Sequence, residues 1–382
     1  MRFAKIVVVV ALALTGCPKS TDGGGSATTA APAGIKIGLV SDVGGRGDQS
    51  FNDSALRGLE TWAGGVTYSP SGYNPVSDAD FQASIPDDLK KLGALPHLGV
   101  TPLVFQAKSQ EDYEPSLQLS VESGAQLTVG VGFMLEKSLH AVALRNTNAR
   151  FLLIDSSVLD EKNAPIVLPN VATITFREQE GSYLVGVLAA LASKTGKVGF
   201  VGGMEMPLIK KFEAGFKAGV RATKPDAVIL TSYTGSFDNP NAGKQTTQDL
   251  IGKGADVIFH AAGSDGLGVI NAVKEARAAG KNVYAVGVDS DQSHLAPDAV
   301  LTSMVKHVDL AVYREIEQVK QNGFKSGDEQ WGLKEGGVGL APIHVDLPNK
   351  AALLAAVDAA RAKIIAGQIV VPATLVELDA KH

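Results

Sequence analysis

The sequence predicts an α/β protein built from two doubly wound lobes, and three features lead to this prediction. Short runs rich in β-branched residues recur along the chain and alternate with helical patterns, which is typical of parallel sheets covered by helices. Nearly 350 of the 382 residues follow residue 33. This is more than one hydrophobic core usually organises. The rhythm breaks at residues 163–170, where Pro165 and Pro169 interrupt it, and we expect the chain to cross between the lobes there.

The strand-like runs are short and continuous in their apolar character, which favours strands buried on both faces. Helices are predicted between them from apolar residues spaced three and four apart, as at Leu117 and Val121. The main predicted helices span residues 179–192, 208–222, 309–322 and 350–367. Strands are predicted at residues 35–40, 102–105, 127–131, 151–154, 197–201, 228–232, 257–260, 283–288 and 300–305.

The first seventeen residues have the order of a secretory signal that ends in an acylation site. Arg2 and Lys5 precede an apolar run at residues 6–14, which leads into a Leu-Thr-Gly-Cys sequence ending at Cys17. The run is too short to cross a bilayer, which takes about 20 residues. Cys17 is the only cysteine, so the chain has no internal disulfide. We therefore predict a lipoprotein signal peptide at residues 1–17 and a lipid on Cys17, which anchors the protein to the extracytoplasmic face of a membrane.

The predicted domain boundaries follow from these breaks in the pattern. Residues 18–33 are rich in Ser, Thr, Gly, Ala and Pro and are predicted to be a flexible tether, which spans roughly 20 Å. Residues 34–160 and 290–325 are assigned to lobe I, and residues 161–289 and 326–382 to lobe II. Residues 64–98 are too long for an ordinary connection and are predicted to be an insertion in lobe I, with a short helix at 87–92.

Composition and motifs argue against several classes of function. The net charge is −5 and no basic run follows the signal, so nucleic-acid binding is not expected. The seven histidines are scattered without metal-ligand spacing, so neither a metal nor another cofactor is predicted. A nucleophile-elbow-like sequence has Ala262 in place of its first glycine, and the sequence around Lys244 lacks the rest of a phosphate-binding loop. The sequence therefore predicts a protein that is not an enzyme.

The loop after the first strand, residues 41–52, is the first candidate for ligand binding. Ligands of open α/β sheets bind where strands end and helices begin. Asp42 ends the strand, and Asn52 or Ser50 is placed to cap the next helix. Phe51 either closes the top of the core or offers its ring to a ligand, and Asp42 either caps the turn or binds the ligand. The residues alone leave both alternatives open.

This loop and four later motifs resemble the basic membrane protein family of solute-binding lipoproteins. The resemblance runs from about residue 35 to 342, apart from the insertion. The motifs are SDVGGRGDQSFN (41–52), FREQEGSYLVG (176–186), GGMEMP (202–207), FEAGF (212–216) and VGVDSDQ (286–292).

The resemblance implies a type I periplasmic binding protein fold, with two lobes joined by several hinge crossovers, and a site between them. It implies that Phe51 and Phe212 sandwich a nucleobase, and that Asp42, Asp289 and Lys306 hold the ribose hydroxyls. Asn52 and the backbone near Gly263 are implied to complete the contacts. Each position also has a structural alternative: a surface lysine at 306, a core residue at 212, a turn cap at 289 and a helix cap at 263.

The implied function is that of the solute-binding lipoprotein of an ABC importer, and the implied solute is a nucleoside, preferably a purine nucleoside. The partners are then this small molecule, the permease and ATPase subunits and the membrane that holds the anchor, and a monomer is expected. Two alternatives stay open. One is a binding protein for a sugar or another small polar solute, since one fold hosts many ligands. The other is a ligand-sensing lipoprotein that feeds a membrane receptor.

Overall fold

The chain forms two six-stranded sheets in a computed structural model that describes residues 34–92 and 95–380. The predicted signal peptide (1–17) and the predicted tether (18–33) lie outside the described residues. In chain order the strands are β1 (Lys36–Ser41), β2 (Val66–Ser69), β3 (Gly72–Pro75), β4 (Thr101–Gln106), β5 (Leu127–Val131), β6 (Phe151–Ile154), β7 (Val171–Phe176), β8 (Lys197–Gly202), β9 (Val228–Tyr233), β10 (Val257–Ala261), β11 (Tyr284–Asp289), β12 (Val300–Lys306), β13 (Gly327–Trp331) and β14 (Val338–Leu340).

The helices cover both sheets. In chain order they are α1 (Phe51–Leu56), α2 (Asp78–Ser84), α3 (Tyr113–Glu122), α4 (Glu136–Arg145), α5 (Glu178–Ala192), α6 (Pro207–Thr223), α7 (Pro240–Gly252), α8 (Asp265–Ala278), α9 (Val308–Lys320), α10 (Lys350–Ile365) and α11 (Leu375–Asp379). A π-helical segment, Arg57–Ala63, continues α1.

The two sheets have matching topologies. The first has the order β13-β7-β6-β5-β1-β4 and belongs to lobe I, and the second has the order β14-β12-β11-β10-β8-β9 and belongs to lobe II. All their strand pairs are parallel except the pair of β12 with β14. In parallel sheets of this kind the strands are covered on both faces, which explains why the sequence shows continuous apolar runs.

Each sheet is buried on both faces, as the strand β6 illustrates. Its residues Phe151 and Leu153 belong to a hydrophobic cluster that contains residues of α3 and α4. The alternate residues Leu152 and Ile154 belong to a second cluster that contains residues of α1 and α9. Side chains alternate along a strand, so these helices lie on opposite sides of the sheet, and the predicted doubly wound fold class is confirmed.

Within residues 34–92 and 95–380, the chain passes between the lobes at three places. The strand β7 lies in the first sheet, whereas α5, which starts at Glu178, packs against α6 in lobe II. The strand β12 lies in the second sheet, whereas α9 packs against the π-helical segment and α1 in lobe I. The third passage joins β13 of the first sheet to β14 of the second.

Three strands lie in the lobe opposite to the expected one. We expected residues 161–289 in lobe II, but β7 pairs with β6 in the first sheet. The prolines at 165 and 169 lie in the connection between these neighbouring strands and do not mark a crossover. Likewise β12, expected in lobe I, pairs with β11, and β13, expected in lobe II, pairs with β7. Only β12 was predicted as a strand, whereas β7 and β13 were missed. Periodicity contains no information about which sheet a strand joins, which is why these boundaries were wrong.

The insertion at residues 64–98 has its own local structure. It contains the hairpin of β2 and β3, followed by α2, whose N-cap Ser77 accepts a hydrogen bond from the amide of Asp80. The helix predicted at residues 87–92 is reduced to one 3₁₀ turn, Lys90–Leu92. The N-cap sequence before α2 was the better helix signal, because a Ser side chain satisfies an otherwise unpaired amide of the first turn.

Among residues 34–92 and 95–380, no helix has the length and apolar character needed to cross a membrane.

Helices α5 and α6 approach each other closely through glycines, which gives a test of the packing of lobe II. A Cβ atom on Gly219 would lie 2.1 Å from the backbone oxygen of Tyr183, and one on Gly186 would lie 2.2 Å from that of Phe216. We expect Gly219→Ala to lower the free energy of unfolding by about 1–3 kcal/mol, because the helices have to move apart.

The measurement is urea unfolding followed by circular dichroism. Gly252→Ala is the matched control: it also lies in a helix, and its Cβ would meet no atom within 4 Å, so its stability should stay the same or rise slightly. Equal stability of Gly219→Ala and the wild-type protein would contradict the close packing of these helices.

Candidate functional site

A cavity lies between the carboxyl ends of the strands of the two sheets. Its empty space is about 550 Å³, counting the part that is open to solvent. All the residues singled out from the sequence line it: Asp42, Phe51, Asn52, Phe212, Gly263, Asp289 and Lys306. The two lobes thus bring together residues that are up to 264 positions apart in the sequence.

We call residues 42–52 the binding loop, and the carboxylate of Asp48 organises it. This buried carboxylate accepts hydrogen bonds from the amides of Ser50, Asn52 and Asp53, at 2.9, 2.7 and 3.1 Å, and from Nδ2 of Asn52 at 3.0 Å. Burial, with a contribution from Asp53, raises the pKa of Asp48 to about 7. Asp48 therefore satisfies the backbone at the start of α1 and belongs to the loop more than to a ligand.

Asp42 and Asn52 are paired inside the binding loop. Nδ2 of Asn52 donates to Oδ1 of Asp42 at 2.8 Å, and Oδ1 of Asn52 accepts from the Asp42 amide at 3.3 Å. The amide of Gly44 also donates to Oδ1 of Asp42. Burial raises the pKa of Asp42 to about 6, although the bonds from Asn52 and Gly44 oppose this shift. Asn52 thus uses its polar atoms within the loop and positions Asp42 beside the cavity.

The two phenylalanines reach the cavity from opposite lobes. Phe51 is the first residue of α1 in lobe I, and Phe212 lies on α6 in lobe II and is 2% exposed. Nζ of Lys306 lies 4.7 Å from the ring centroid of Phe51 and 5.5 Å from that of Phe212. The two centroids are therefore no more than about 10 Å apart. Phe212 also belongs to the hydrophobic core, so its core alternative holds together with its place at the cavity.

Lys306 is a buried charge and not a surface lysine. Its Nζ lies 2.6 Å from Oδ2 of Asp155, 3.7 Å from Oε1 of Glu178 and 3.9 Å from Oδ1 of Asp289. Burial disfavours the charged form of Lys306, but the carboxylates of Asp155, Asp289 and Glu178 together raise its pKa. Burial raises the pKa of Asp289 and of Glu178 against the effect of the nearby lysines. Carboxylates from both lobes thus converge on one ammonium group.

Two of these acidic residues come at the ends of buried strands, and their own backbone conformation is unusual. Asp155, directly after β6, has a φ of 70°, and Asp289, at the end of β11, has a φ of 62°. Residues other than glycine rarely adopt this left-handed region, and such positions cluster at functional sites. The carboxylate of Asp289 also accepts a hydrogen bond from Oγ of Ser50, at 2.6 Å, across the cleft. Asp289 therefore joins the lobes as well as lining the cavity.

The lobes touch each other at more than one place near the cavity. At one of these places, Nε2 of Gln292 donates to the backbone oxygen of Gln49 at 3.1 Å, and Oγ of Ser290 donates to that of Ser50 at 3.2 Å. Elsewhere along the cavity, the rings of Phe133 and Phe237 meet edge to face with centroids 6.3 Å apart. Phe133 follows β5 in lobe I and Phe237 follows β9 in lobe II. The structure is thus that of a closed cleft.

Sequence reasoning missed Asp155, Phe133 and Phe237, which also line the cavity. Each follows the carboxyl end of a predicted strand, as Asp42 does, so the rule that located the binding loop applied to them too. Oδ1 of Asp155 is buried and has no hydrogen-bond partner among the described residues. Asp155 therefore contributes an acceptor that the sequence analysis did not include.

Comparison with known proteins places the chain among transport proteins. Residues 35–374 match the Bmp family, described as ABC transporter substrate-binding protein PnrA-like. The chain is 32% identical over 381 residues to the CD4+ T-cell-stimulating antigen of Listeria innocua, with 96% of each chain covered. It is 31% identical over 387 residues to the ABC transporter nucleoside-binding protein BmpA of Lactococcus lactis, covering 96% of this chain and 99% of the relative.

A solved structure shows the same arrangement of lobes. The ABC transporter solute-binding protein of Aeropyrum pernix superposes with a TM-score of 0.72 at 30% identity, over 91% of this chain and 96% of the other. A solute-binding protein of Conexibacter woesei, 22% identical with a TM-score of 0.63 and 88% and 98% coverage, supports the fold alone. The family is one of substrate-binding proteins of ABC transporters. The chain belongs to the PnrA-like (Bmp) family of ABC transporter substrate-binding proteins.

Proposed function

We propose that this protein binds a nucleoside, preferably a purine nucleoside, in the cavity between its lobes and delivers it to an ABC permease. As a substrate-binding protein of an ABC transporter it acts on the extracytoplasmic side and serves a permease and an ATPase. Three points are proposed: the solute is a nucleoside, Cys17 carries a lipid anchor, and the protein is a monomer. The name of the Lactococcus lactis relative supports the choice of ligand.

One observation carries the proposal: two aromatic rings from opposite lobes line one cavity with carboxylates that retain acceptor capacity. Stacked ring pairs have centroids about 4.5–7 Å apart, so a base between two rings fits a ring separation of roughly 9–14 Å. The centroids of Phe51 and Phe212 lie no more than about 10 Å apart, so the sandwich requires a separation close to this upper limit. A purine offers a larger face to both rings than a pyrimidine does.

The acidic groups suit the hydroxyls of a ribose. Oδ1 of Asp155 has no partner in the described part of the chain, and Asp42 accepts its side-chain bonds at Oδ1, so that Oδ2 is left for a ligand. A hydrogen bond from a hydroxyl to a carboxylate contributes about 1.5–3 kcal/mol. Four carboxyl groups, those of Asp42, Asp48, Asp155 and Asp289, line the cavity with one ammonium group. This balance of charge disfavours a phosphate, so we propose a nucleoside and not a nucleotide.

Lobe closure is the proposed mechanism of transport. An open form binds the solute on one lobe, and closure adds the contacts of the other lobe, which shifts the population towards the closed form. Contacts such as the bond from Ser50 to Asp289 stabilise this closed form. A permease that recognises the closed form then receives loaded protein in preference to empty protein.

A calorimetric panel tests the choice of ligand. The mature protein, titrated with adenosine, guanosine, inosine, cytidine, free bases and ribose, should bind purine nucleosides most tightly. A 2′-deoxynucleoside should bind more weakly wherever the missing hydroxyl leaves a buried carboxylate without a partner. Binding of ribose without any nucleoside would show that the solute is a sugar and overturn the proposal.

Substitution of the rings should weaken nucleoside binding. Phe51→Ala loses one stacking partner and its apolar contact, so we expect affinity to fall roughly 10- to 100-fold. Phe212→Leu, which keeps the core filled, should also weaken binding.

The control is Phe324→Ala, which removes a partly buried ring that packs near Arg150. That ring is not among the residues lining the cavity. Thermal unfolding of each variant separates lost binding from lost folding. Wild-type affinity in both ring variants would remove the aromatic sandwich from the proposal.

The pKa of Asp42 makes binding depend on pH. In the empty protein this carboxyl group has a pKa of about 6 because it is buried, and the proposed bond needs its ionised form. Affinity should therefore fall as the pH drops through 6, by up to about tenfold per pH unit. Because Asp48, with a pKa of about 7, also titrates in this range, the comparison with Asp42→Asn isolates the part that is due to Asp42. Asp42→Asn should bind weakly at pH 7.5 and have a flatter profile. Calorimetry from pH 5 to 8 measures this, and a flat wild-type profile would contradict the role of Asp42.

Cys17→Ser tests the lipid anchor. Without its acyl chains the protein should lose membrane association and detergent partitioning, because these chains are its proposed attachment to the membrane. Expression in a bacterium followed by membrane fractionation and detergent partitioning measures the change. A variant that stays with the membranes like the wild type would refute acylation at Cys17.

A further inference from the structure

The insertion at residues 64–98 touches the binding loop through the side chain of Arg46. Arg46 lies within the glycine-rich turn of that loop, between Gly45 and Gly47. Its guanidinium group lies over the ring of Tyr68 in the hairpin, 4.3 Å from the ring centroid. Tyr68 stands on β2, and Tyr73, on β3, meets it edge to face with centroids 5.7 Å apart. A part of the insertion thus reaches the loop that contains Asp42 and Asn52.

The other partner of Arg46 is Glu60. Two nitrogens of Arg46 donate to its two carboxylate oxygens, at 2.9 and 2.6 Å. The hydroxyl of Tyr73 donates to the same carboxylate at 2.6 Å. Glu60 is 4% exposed, so this bidentate pair is largely shielded from solvent and stronger than an exposed pair. We call Arg46, Glu60, Tyr68 and Tyr73 the clasp.

Glu60 lies in the π-helical segment Arg57–Ala63. Such segments are rare and occur frequently at functional sites. In the same segment, Arg57 pairs with Asp309 of α9 at 2.6 Å. The segment thus pairs with α9 through Arg57 and with the binding loop through Glu60.

The binding loop has a backbone that needs such support. Gly45 has a φ of 58°, Gly47 of 98° and Gln49 of 52°, so alternate residues are in the left-handed region. Two glycines in this turn are free to adopt many other conformations. Backbones of this kind persist only when the surrounding structure holds them. Arg46 lies between the two glycines, and its contacts with Glu60 and Tyr68 hold its side chain in place.

We propose that the hairpin of the insertion is a positioning element for ligand binding, which acts through the clasp on the glycine-rich turn of the binding loop. Tyr68 and Tyr73 fix Arg46 and Glu60, and the fixed turn keeps Asp42 in place at the cavity. The positioning residues do not line the cavity themselves. The proposal rests on the proposed function only in using a nucleoside as the binding probe.

Amide hydrogen exchange, measured without a ligand, tests whether the clasp holds the glycine-rich turn in place. In the wild type, the amides of Gly44, Gly45 and Gly47 donate to the carboxylates of Asp42 and Asp53 and to the Asp42 backbone. In a Tyr68→Ala/Tyr73→Phe variant these amides should exchange about tenfold faster, since a cation–π contact and a hydrogen bond to a carboxylate are lost.

Two single variants serve as controls. Tyr68→Phe keeps the ring under Arg46 and should exchange like the wild type. Asn74→Ala removes a hydrogen bond from Asn74 to Ser69 inside the same hairpin and should also leave the turn unchanged. If the double variant exchanges like the wild type, the proposal that the clasp supports the turn is wrong, whatever the protein binds.

Binding kinetics of a purine nucleoside give the second readout. A loosened turn lowers the fraction of protein that is competent to bind, so the double variant should show a roughly three- to tenfold lower affinity, mainly from slower association. Tyr68→Phe should retain wild-type kinetics. Faster exchange with unchanged kinetics would also overturn the proposal. If the wild-type protein binds no nucleoside, the proposed function fails, and the exchange measurement still decides whether the hairpin supports the turn.

Discussion

The buried ammonium group of Lys306 is the constraint on which the cleft depends. It ends β12, immediately before the chain passes into lobe I, and its carboxylate partners come from the ends of β6 and β11 and the start of α5. A charge out of water is tolerated only when it is paired, and leaving one member of such a set without its partner costs about 3–5 kcal/mol. The strand ends around Lys306 therefore have to stay together for the protein to be stable.

The same ammonium group connects the charged residues to the aromatic ones. Its Nζ lies within 5.5 Å of the ring centroids of Phe51, Phe176 and Phe212. An ammonium near aromatic rings is attracted to their electron-rich faces, an effect that grows as water is removed. The rings proposed to stack on a base are thus held by the charge network and not by packing alone. The side chain of Lys306 thus contacts both the acidic residues and the aromatic rings of the proposed site.

The sequence predicted the local structure well and the long-range structure only in part. Strands such as Phe151–Ile154 could be located because burial on both faces leaves an unbroken apolar run. The lobe to which β7, β12 and β13 belong could not be deduced, because a strand of the same composition fits either sheet. The cavity-lining residues came largely from the family resemblance. Asp155 was missed although it follows its strand in the manner of Asp42, since only the fold reveals that its oxygen lies beside Lys306.

The three passages of the chain between the lobes restrict how the protein moves. The segments after β7 and β13 leave neighbouring strands of the first sheet, and the segment after β12 leaves a strand that pairs with β14 of the second. Three links resist twisting of one lobe against the other more than a single link would. The proposed closure is then restricted in direction, so that reopening follows the route of closure. In the proposed transport cycle, the permease then meets the same open and closed shapes each time, and it can distinguish loaded from empty protein without contacting the solute.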